Sequence, residues 1–177
     1  QWSIGPAILW LPFYLIVYII SKFCLAYQGS GYELIYQVAV CIATIVYVFI
    51  GAILSYLSCR RYFSASISFL SVIGIWLAGN TIYYTIIEPS MSQGVQFFAA
   101  AVFLYTWTAP IIRYRDFIKI GFALGLMVLV HWQNLTFVGV FIGEILYFLW
   151  VARNKDSQFI SAKYWKRFLF IIPPMLL

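Results

Sequence analysis

The sequence predicts an all-α bundle of membrane-spanning helices that forms a single domain over residues 1–177. Three observations predict this fold. Of the 177 residues, 64% are hydrophobic and only 9% are charged, which is more apolar surface than a soluble domain of this size buries. The apolar residues occur in continuous runs close to the roughly 20 residues that a bilayer requires. These runs do not alternate as strands do, and a helix satisfies its own backbone hydrogen bonds in lipid.

Residues 1–22 are apolar but are interrupted by Pro6 and Pro12, and aromatic side chains are spread along them. Aromatic residues at this density are typical of the headgroup layer, so this stretch either spans the membrane or lies at the interface. We expect an outer interfacial helix, which together with a polar loop makes up residues 1–33. The sequence begins without methionine and ends within an apolar run, so we also expect that it is part of a longer protein.

Residues 34–177 are predicted to form the transmembrane helices. Five runs have the length and continuity of complete spans, and a sixth begins near Phe168 and is cut off by the end of the sequence. The five complete spans are residues 34–58, 64–87, 94–112, 117–132 and 135–152.

The distribution of Lys and Arg predicts which ends of these helices face the cytoplasm. Ten of the eleven basic residues fall in the loops after the first, third and fifth spans, counting Lys119 at the start of the fourth span with the loop before it, and only Lys22 lies elsewhere. Because basic residues are enriched in cytoplasmic loops, we place these three loops in the cytoplasm. The segments 1–33, 88–93 and 131–134 then lie on the outer side. The net charge of +6 follows from this asymmetry and does not indicate a nucleic-acid partner.

A polar segment with unusual chemistry lies between the second and third spans. Here Glu88, one of only five acidic residues, is surrounded by tyrosine, serine and glutamine side chains. A turn between two helices does not need these groups, whereas sugars are bound by aromatic faces combined with many hydrogen-bonding groups. The segment therefore indicates either a solvated loop or a site for a polar substrate. The predicted site residues in this segment are Tyr83, Tyr84, Glu88, Ser92 and Gln93.

A second polar segment follows the fourth span. His131, the only histidine, stands near Gln133 and Asn134 at the predicted outer end of a helix. A single histidine near an interface is either structural or a hydrogen-bond donor to a phosphate or another polar substrate. We include all three residues in the candidate site, because two crossings return the chain to the side that carries Glu88. Glu144, within the fifth span, is either a protonated structural residue or a functional contact.

The sequence contains no catalytic or metal-binding constellation of its own. The three cysteines are widely spaced, and there is no Ser/His/Asp arrangement, metal cluster or phosphate-binding glycine loop. No cofactor follows from the sequence, although a divalent cation is left open.

Several motifs resemble the GT-C superfamily of membrane glycosyltransferases, which use polyprenyl- or dolichyl-phosphate-linked sugars. The motifs are similar to those of protein mannosyltransferases and aminoarabinose transferases, and they extend in the same order through about three-quarters of the chain. Two positions depart from the family, because Gln93 stands where it has a histidine and His131 where it often has an arginine. The similar segments are Ile4-Gly-Pro-Ala-Ile-Leu-Trp-Leu-Pro-Phe-Tyr14, Tyr83-Tyr84, Glu88-Pro-Ser-Met-Ser92 and His131-Trp-Gln-Asn134.

The resemblance implies that a sugar passes from a polyprenyl-phosphate donor to an acceptor on the outer face of a prokaryotic plasma membrane. It also implies that the first helix and the catalytic aspartate precede Gln1, and that residues 5–13 form a helix of a large outer loop. The implied partners are membrane lipids, the lipid-linked donor and an acceptor that is a lipid, a glycan or a protein. Two other classes stay open: a transporter or flippase with an outward polar site, and a non-catalytic membrane subunit.

Overall fold

The computed structural model describes residues 3–24, 31–109 and 114–139, together with residues 142, 143, 146 and 150. Within these residues the chain is helical and contains no strand, which confirms the all-α prediction. Glu144 lies outside the described residues. The helices are α1 (Gly5–Cys24), α2 (Leu34–Cys59), α3 (Ala65–Ala78), α4 (Thr81–Ile86), α5 (Gln93–Trp107), α6 (Tyr114–Val130) and a 3-10 turn (Trp132–Leu135).

Two of these helices, α1 and α2, are long and apolar enough to cross a membrane. α1 has 20 residues and α2 has 26, which corresponds to about 30 and 39 Å of helix. α3 is a shorter apolar helix of 14 residues, and α5 and α6 have 15 and 17 residues. The described residues therefore contain two candidate spans, and the bundle of five complete spans stays a prediction.

α1 is a single helix, although the sequence suggests an interruption at its two prolines. Pro6 stands in the first turn, where a missing backbone N–H removes no helical bond, and Pro12 lies inside the helix. α1 packs antiparallel to α2, since Trp10 pairs with Thr44 while the ring of Tyr14 lies 4.8 Å from the ring of Tyr36. The interfacial position of α1 stays a prediction, because its length and hydropathy also fit a span.

The predicted span 64–87 divides into α3 and α4. Gly79 ends α3 in an extended conformation, with φ −93° and ψ 172°, and Asn80 precedes α4. Glycine and asparagine have low helix propensity, so a break costs less here than within the apolar run before them. The break leaves a separate six-residue helix that carries Tyr83 and Tyr84.

The core lies between α5 and α6. Val95, Ala99 and Phe103 recur every four residues along α5 and are buried against α6. A spacing of four residues keeps them on one side of the helix, so the two helices bury a continuous stripe. The α6 residues of this core are Phe117, Ile120, Ala123, Leu124, Met127 and Val130.

α5 runs parallel to the second half of α2. A Cβ at Gly94 would stand 2.5 Å from Thr44 Cγ2, and Arg61 Nη1 donates to Tyr105 O at 2.6 Å near the other ends of the two helices. α2 begins ten residues before Thr44, at Leu34, which places its first residue about 15 Å beyond the level of Thr44. We call α1 together with residues 31–43 the α1–α2 hairpin. The hairpin therefore projects beyond the N-terminus of α5.

Basic side chains lie at the opposite end of the bundle. The guanidinium carbon of Arg61 lies 4.3 Å from the ring centroid of Tyr105, and Nη1 also donates to Thr108 Oγ1 at 2.6 Å. In the first turns of α6, Lys119 lies 3.5 Å from Asp116. Two of the basic segments that the sequence assigns to one side thus share one end of the bundle, while their side of the membrane stays a prediction.

Large apolar side chains cover the outer surfaces of α1, α2 and α3. The exposed fraction is 79% for Phe23, 68% for Phe49 and 65% for Leu70. An extended apolar surface needs an apolar surrounding, such as lipid or another helix. This surface and the two candidate spans are compatible with a membrane protein.

Candidate functional site

The predicted site residues fall at the end of the bundle where α5 begins and α6 ends. Two segments meet there, residues 81–96 and residues 131–134, and we call this region the polar end. A direct hydrogen bond joins the segments, because Gln96 Nε2 donates to Asn134 Oδ1 at 3.1 Å. This bond joins the last residue of the first segment to the last residue of the second, while a shared site for Glu88 and residues 131–134 stays a prediction.

Asn134 holds the chain in place after α6. Its side chain is buried, with 6% of its surface exposed, and Nδ2 donates to Met127 O at 2.8 Å in the last turn of α6. Its backbone N also donates to His131 O at 2.9 Å. Met127 O also accepts from His131 N at 3.2 Å, so the Asn134 amide is its second donor and ties the 3-10 turn to the last turn of α6.

Two buried polar atoms at the polar end have no hydrogen-bond partner within the described part of the chain. They are Oε1 of Gln93, in the first turn of α5, and Nδ1 of His131. Buried polar groups are nearly always paired, and an unpaired one costs roughly 1–3 kcal/mol. A ligand hydroxyl both donates and accepts, so a polyhydroxylated ligand is able to pair with both kinds of atom.

Glu88 and the tyrosine pair form the other part of the polar end. The rings of Tyr83 and Tyr84 meet edge to face with centroids 5.2 Å apart, and Glu88 N donates to Tyr83 O at 3.1 Å. α4 lies outside the two candidate spans. The negative charge of Glu88 is the main cause that raises the pKa of Tyr83 above 10.0, with burial, a hydrogen bond to Glu88 and the nearby Tyr84 contributing less. The Tyr83 hydroxyl therefore keeps its proton at neutral pH.

Two of the remaining predicted residues, Ser92 and Gln133, lie nearer the surface. One further residue, Gln96, belongs to the polar end although the prediction omits it. Ser92 O accepts a hydrogen bond from Gln96 N at 2.9 Å, and Gln133 is exposed on the 3-10 turn. Gln96, which makes the bond between the segments, is absent from the predicted site. It lies three residues after Gln93, which places both on one side of α5, and this spacing was the available signal.

The N-terminus of α1 closes one side of the polar end. Ser3 Oγ donates to Val130 O, and a Cβ at Gly5 would stand 2.5 Å from backbone atoms of Leu129 and Val130. A glycine at this position lets the backbones of α1 and α6 approach closely. The first motif of the family resemblance thus contains a residue that packs directly against the last turn of α6.

An apolar cavity of about 540 Å³ lies between α2 and α3. Its wall includes Val48, which faces Gly94, and Thr85, which shares a short helix with Tyr83 and Tyr84. The cavity therefore reaches the polar end, and its lining suits a hydrocarbon chain. The other lining residues are mostly aliphatic or aromatic: Ile45, Phe49, Ala52, Ile53, Tyr56, Phe69, Val72, Ile73 and Trp76.

Metal binding has little support from the side chains that the structure describes. Among them, no group of three or more His, Cys, Asp or Glu residues is close enough to hold a metal ion. Mg²⁺ is often bound by one or two carboxylates together with substrate phosphates, so a cation beside Glu88 would need ligands from the substrate. The divalent cation stays an open prediction.

Comparisons with protein-family models, with curated proteins and with solved structures find no match. The geometry of the polar end and the motifs of the sequence are therefore the basis for assigning a function.

Proposed function

We propose that this chain belongs to a GT-C-like membrane glycosyltransferase, an integral multi-pass protein of a prokaryotic plasma membrane. It transfers a sugar from a polyprenyl-phosphate-linked donor to an acceptor on the outer face. The observation that carries the proposal is the polar end, where Gln96, four residues after the segment Glu88–Ser92, is hydrogen-bonded to Asn134, the last residue of another segment of the resemblance. There Gln93 Oε1 and His131 Nδ1 are buried without a partner in the described residues. We place the polar end outside, because basic residues concentrate at the opposite end.

In this proposal the chain crosses the membrane five times. α2 forms the first crossing, α3 the second with α4 at the outer interface, α5 and α6 the third and fourth, and the fifth follows the 3-10 turn. α5 and α6 are about 22 and 26 Å long, which is shorter than a hydrocarbon core of about 30 Å. The α1–α2 hairpin projects about 15 Å further, so the polar end is recessed beside it. A recess limits access of water to a bound sugar.

The polar end supplies binding groups for a sugar and a lipid carrier. The carboxylate of Glu88 accepts a hydrogen bond from a sugar hydroxyl, and the rings of Tyr83 and Tyr84 offer apolar faces to the sugar ring. Gln93 Oε1 accepts a second hydroxyl, and His131 Nδ1 pairs with a hydroxyl or a phosphate oxygen. The cavity between α2 and α3 accommodates part of the hydrocarbon chain.

The proposed reaction exchanges one bond at the anomeric carbon of the sugar. The acceptor hydroxyl oxygen forms a new bond to this carbon, and the bond from the carbon to the phosphate oxygen breaks. The lipid phosphate leaves with the bonding electrons, and the hydroxyl proton passes to a carboxylate base. The resemblance places that base, an aspartate, before residue 1, so the described residues bind and orient the substrates.

Neutralising Glu88 tests the proposal in the full-length protein. We expect Glu88→Gln to lower sugar transfer from a lipid-linked donor about ten- to a hundredfold, with an unchanged protein level in the membrane. One charge-assisted hydrogen bond, worth roughly 1.5–3 kcal/mol, would be lost in the transition state. Asp116→Asn removes a carboxylate at the opposite end of the bundle and is the matched control, which should transfer at the wild-type rate.

A second variant probes the other segment. We expect Asn134→Ala to lower transfer as well, because Gln96 loses its partner and the 3-10 turn loses its side-chain bond to Met127 O. Wild-type transfer by both Glu88→Gln and Asn134→Ala would mean that the polar end is only a connection between helices. A transporter or flippase would move its substrate unchanged across a vesicle membrane, so mass spectrometry of the product separates that class from a transferase.

A further inference from the structure

A second pocket, with aromatic and polar walls, lies between the middle of α1 and the first turns of α2. It has a volume of about 310 Å³. Tyr36, in its wall, is eight residues from Thr44 along α2, so the pocket is about 12 Å from the level of the polar end. We call it the hairpin pocket, and its lining residues are Tyr14, Gly31, Tyr32, Tyr36, Gln37 and Val40.

The backbone at Gly31 holds the walls of the hairpin pocket in place. Gly31 has a φ of +85°, its O accepts a hydrogen bond from Tyr14 Oη at 3.0 Å, and its N donates to Glu33 Oε2 at 3.0 Å. A Cβ at this position would stand 2.5 Å from Tyr14 Oη, so only glycine fits both the conformation and the space. Tyr36 is 4% exposed and packs on Tyr14. These contacts fix the wall of the pocket that Tyr14, Gly31 and Tyr36 form.

The chemistry of the hairpin pocket fits a neutral, hydroxyl-rich ligand. Tyr32 is 84% exposed, so its ring presents a free apolar face. Gln37 Nε2 donates to Tyr32 O at 3.1 Å, which holds the amide near that residue and leaves the amide oxygen as an acceptor. None of the six described lining residues is charged, and the Glu33 carboxylate on Gly31 N lies beside the pocket, which disfavours an anionic ligand. The volume lies at the lower end of the roughly 300–1,000 Å³ typical of ligand pockets, as a single sugar ring requires.

We propose that the hairpin pocket is a carbohydrate-binding site that holds one ring of a neutral saccharide, with the ring stacked on Tyr32 and a hydroxyl bonded to the Gln37 amide. This site is separate from the polar end and binds without any transfer reaction. Its existence therefore does not depend on the proposed glycosyltransferase activity.

Saturation-transfer difference NMR on the full chain tests this site. The chain is held in lipid nanodiscs, because a sugar-based detergent would itself compete for a saccharide site. The probes are glucose, mannose, galactose and N-acetylglucosamine, each titrated separately. We expect at least one of them to give ring-proton signals that Tyr32→Ala weakens about tenfold in apparent affinity, since one aromatic contact is lost. Tyr32→Phe keeps the ring and should retain most of the binding. Gln37→Ala should weaken it through the lost amide.

Tyr62→Ala is the matched control, because Tyr62 is also an exposed tyrosine, at 66%, but lies beyond the other end of α2. It should bind as the wild type does. Since Tyr32 is so exposed, Tyr32→Ala should unfold at the wild-type temperature, which separates lost binding from lost folding. Absence of any Tyr32-dependent saccharide signal would overturn the proposal. So would a Tyr32-dependent signal from tetramethylammonium alone, which would identify a cation site.

Discussion

Gly94 lets α5 approach α2 next to the polar end, and Gly94→Ala tests how strongly that contact matters. The added Cβ would stand 2.5 Å from Thr44 Cγ2 and 3.0 Å from Val48 Cγ2. Thr44 is fully buried, and its Oγ1 accepts from Trp10 Nε1 at 3.0 Å and donates to Val40 O at 3.1 Å. The threonine side chain therefore has no room to move without disturbing the bond that ties α1 to α2.

The expected cost of Gly94→Ala combines three terms. Overpacking a buried contact costs about 1–3 kcal/mol, and loss of the bond between Trp10 and Thr44 adds about 0.5–1.5 kcal/mol. Alanine is a better helix former than glycine, which offsets about 0.8–1.0 kcal/mol. The net loss is about 2 kcal/mol. For a chain of 177 residues, this lowers the melting temperature by about 4–8 °C.

Thermal unfolding in detergent, followed by far-ultraviolet circular dichroism, measures this loss. Thr44→Ser deletes the methyl group that the new Cβ meets but keeps the hydroxyl, so Gly94→Ala/Thr44→Ser should recover most of the stability. Gly74→Ala is the control, because nothing lies within 4 Å of its added Cβ. A wild-type melting temperature for Gly94→Ala, or an equal loss with and without Thr44→Ser, would refute the packing argument.

Three further predictions concern topology, ionisation and packing. In intact cells with a cysteine-free background, an impermeant thiol reagent should label Ser90→Cys and not Arg60→Cys, and labelling of the latter would reverse the assigned orientation. Glu88→Gln should lower the pKa of Tyr83, because it removes the charge that disfavours the tyrosinate. Ultraviolet titration against Tyr83→Phe measures this change, and an unchanged pKa would contradict the assigned cause. Gly5→Ala should destabilise the protein more than Gly94→Ala does, because the Cβ added at residue 5 would meet the backbone of α6. A smaller loss of melting temperature for Gly5→Ala than for Gly94→Ala would count against that contact.

The sequence by itself determined the class of secondary structure and the position of the longest helix. Continuous apolar runs exclude strands, and the predicted span 34–58 agrees with α2, which ends at Cys59. The pattern of charges also grouped basic segments that the structure brings to one end, including Arg61 and the first turns of α6. Composition, run length and charge are local properties, so they are readable without knowing how the helices pack.

Only the tertiary structure decided where helices break, how far each one projects and which polar groups meet. The pattern did not show that α1 continues through Pro12 or that the run before Glu88 breaks at Gly79, because helix packing competes with local propensity at such positions. The bond between Gln96 and Asn134 joins residues 38 apart in sequence. Such a contact depends on the rotation and level of two whole helices, which are set by close backbone approaches, and a local pattern carries no information about them.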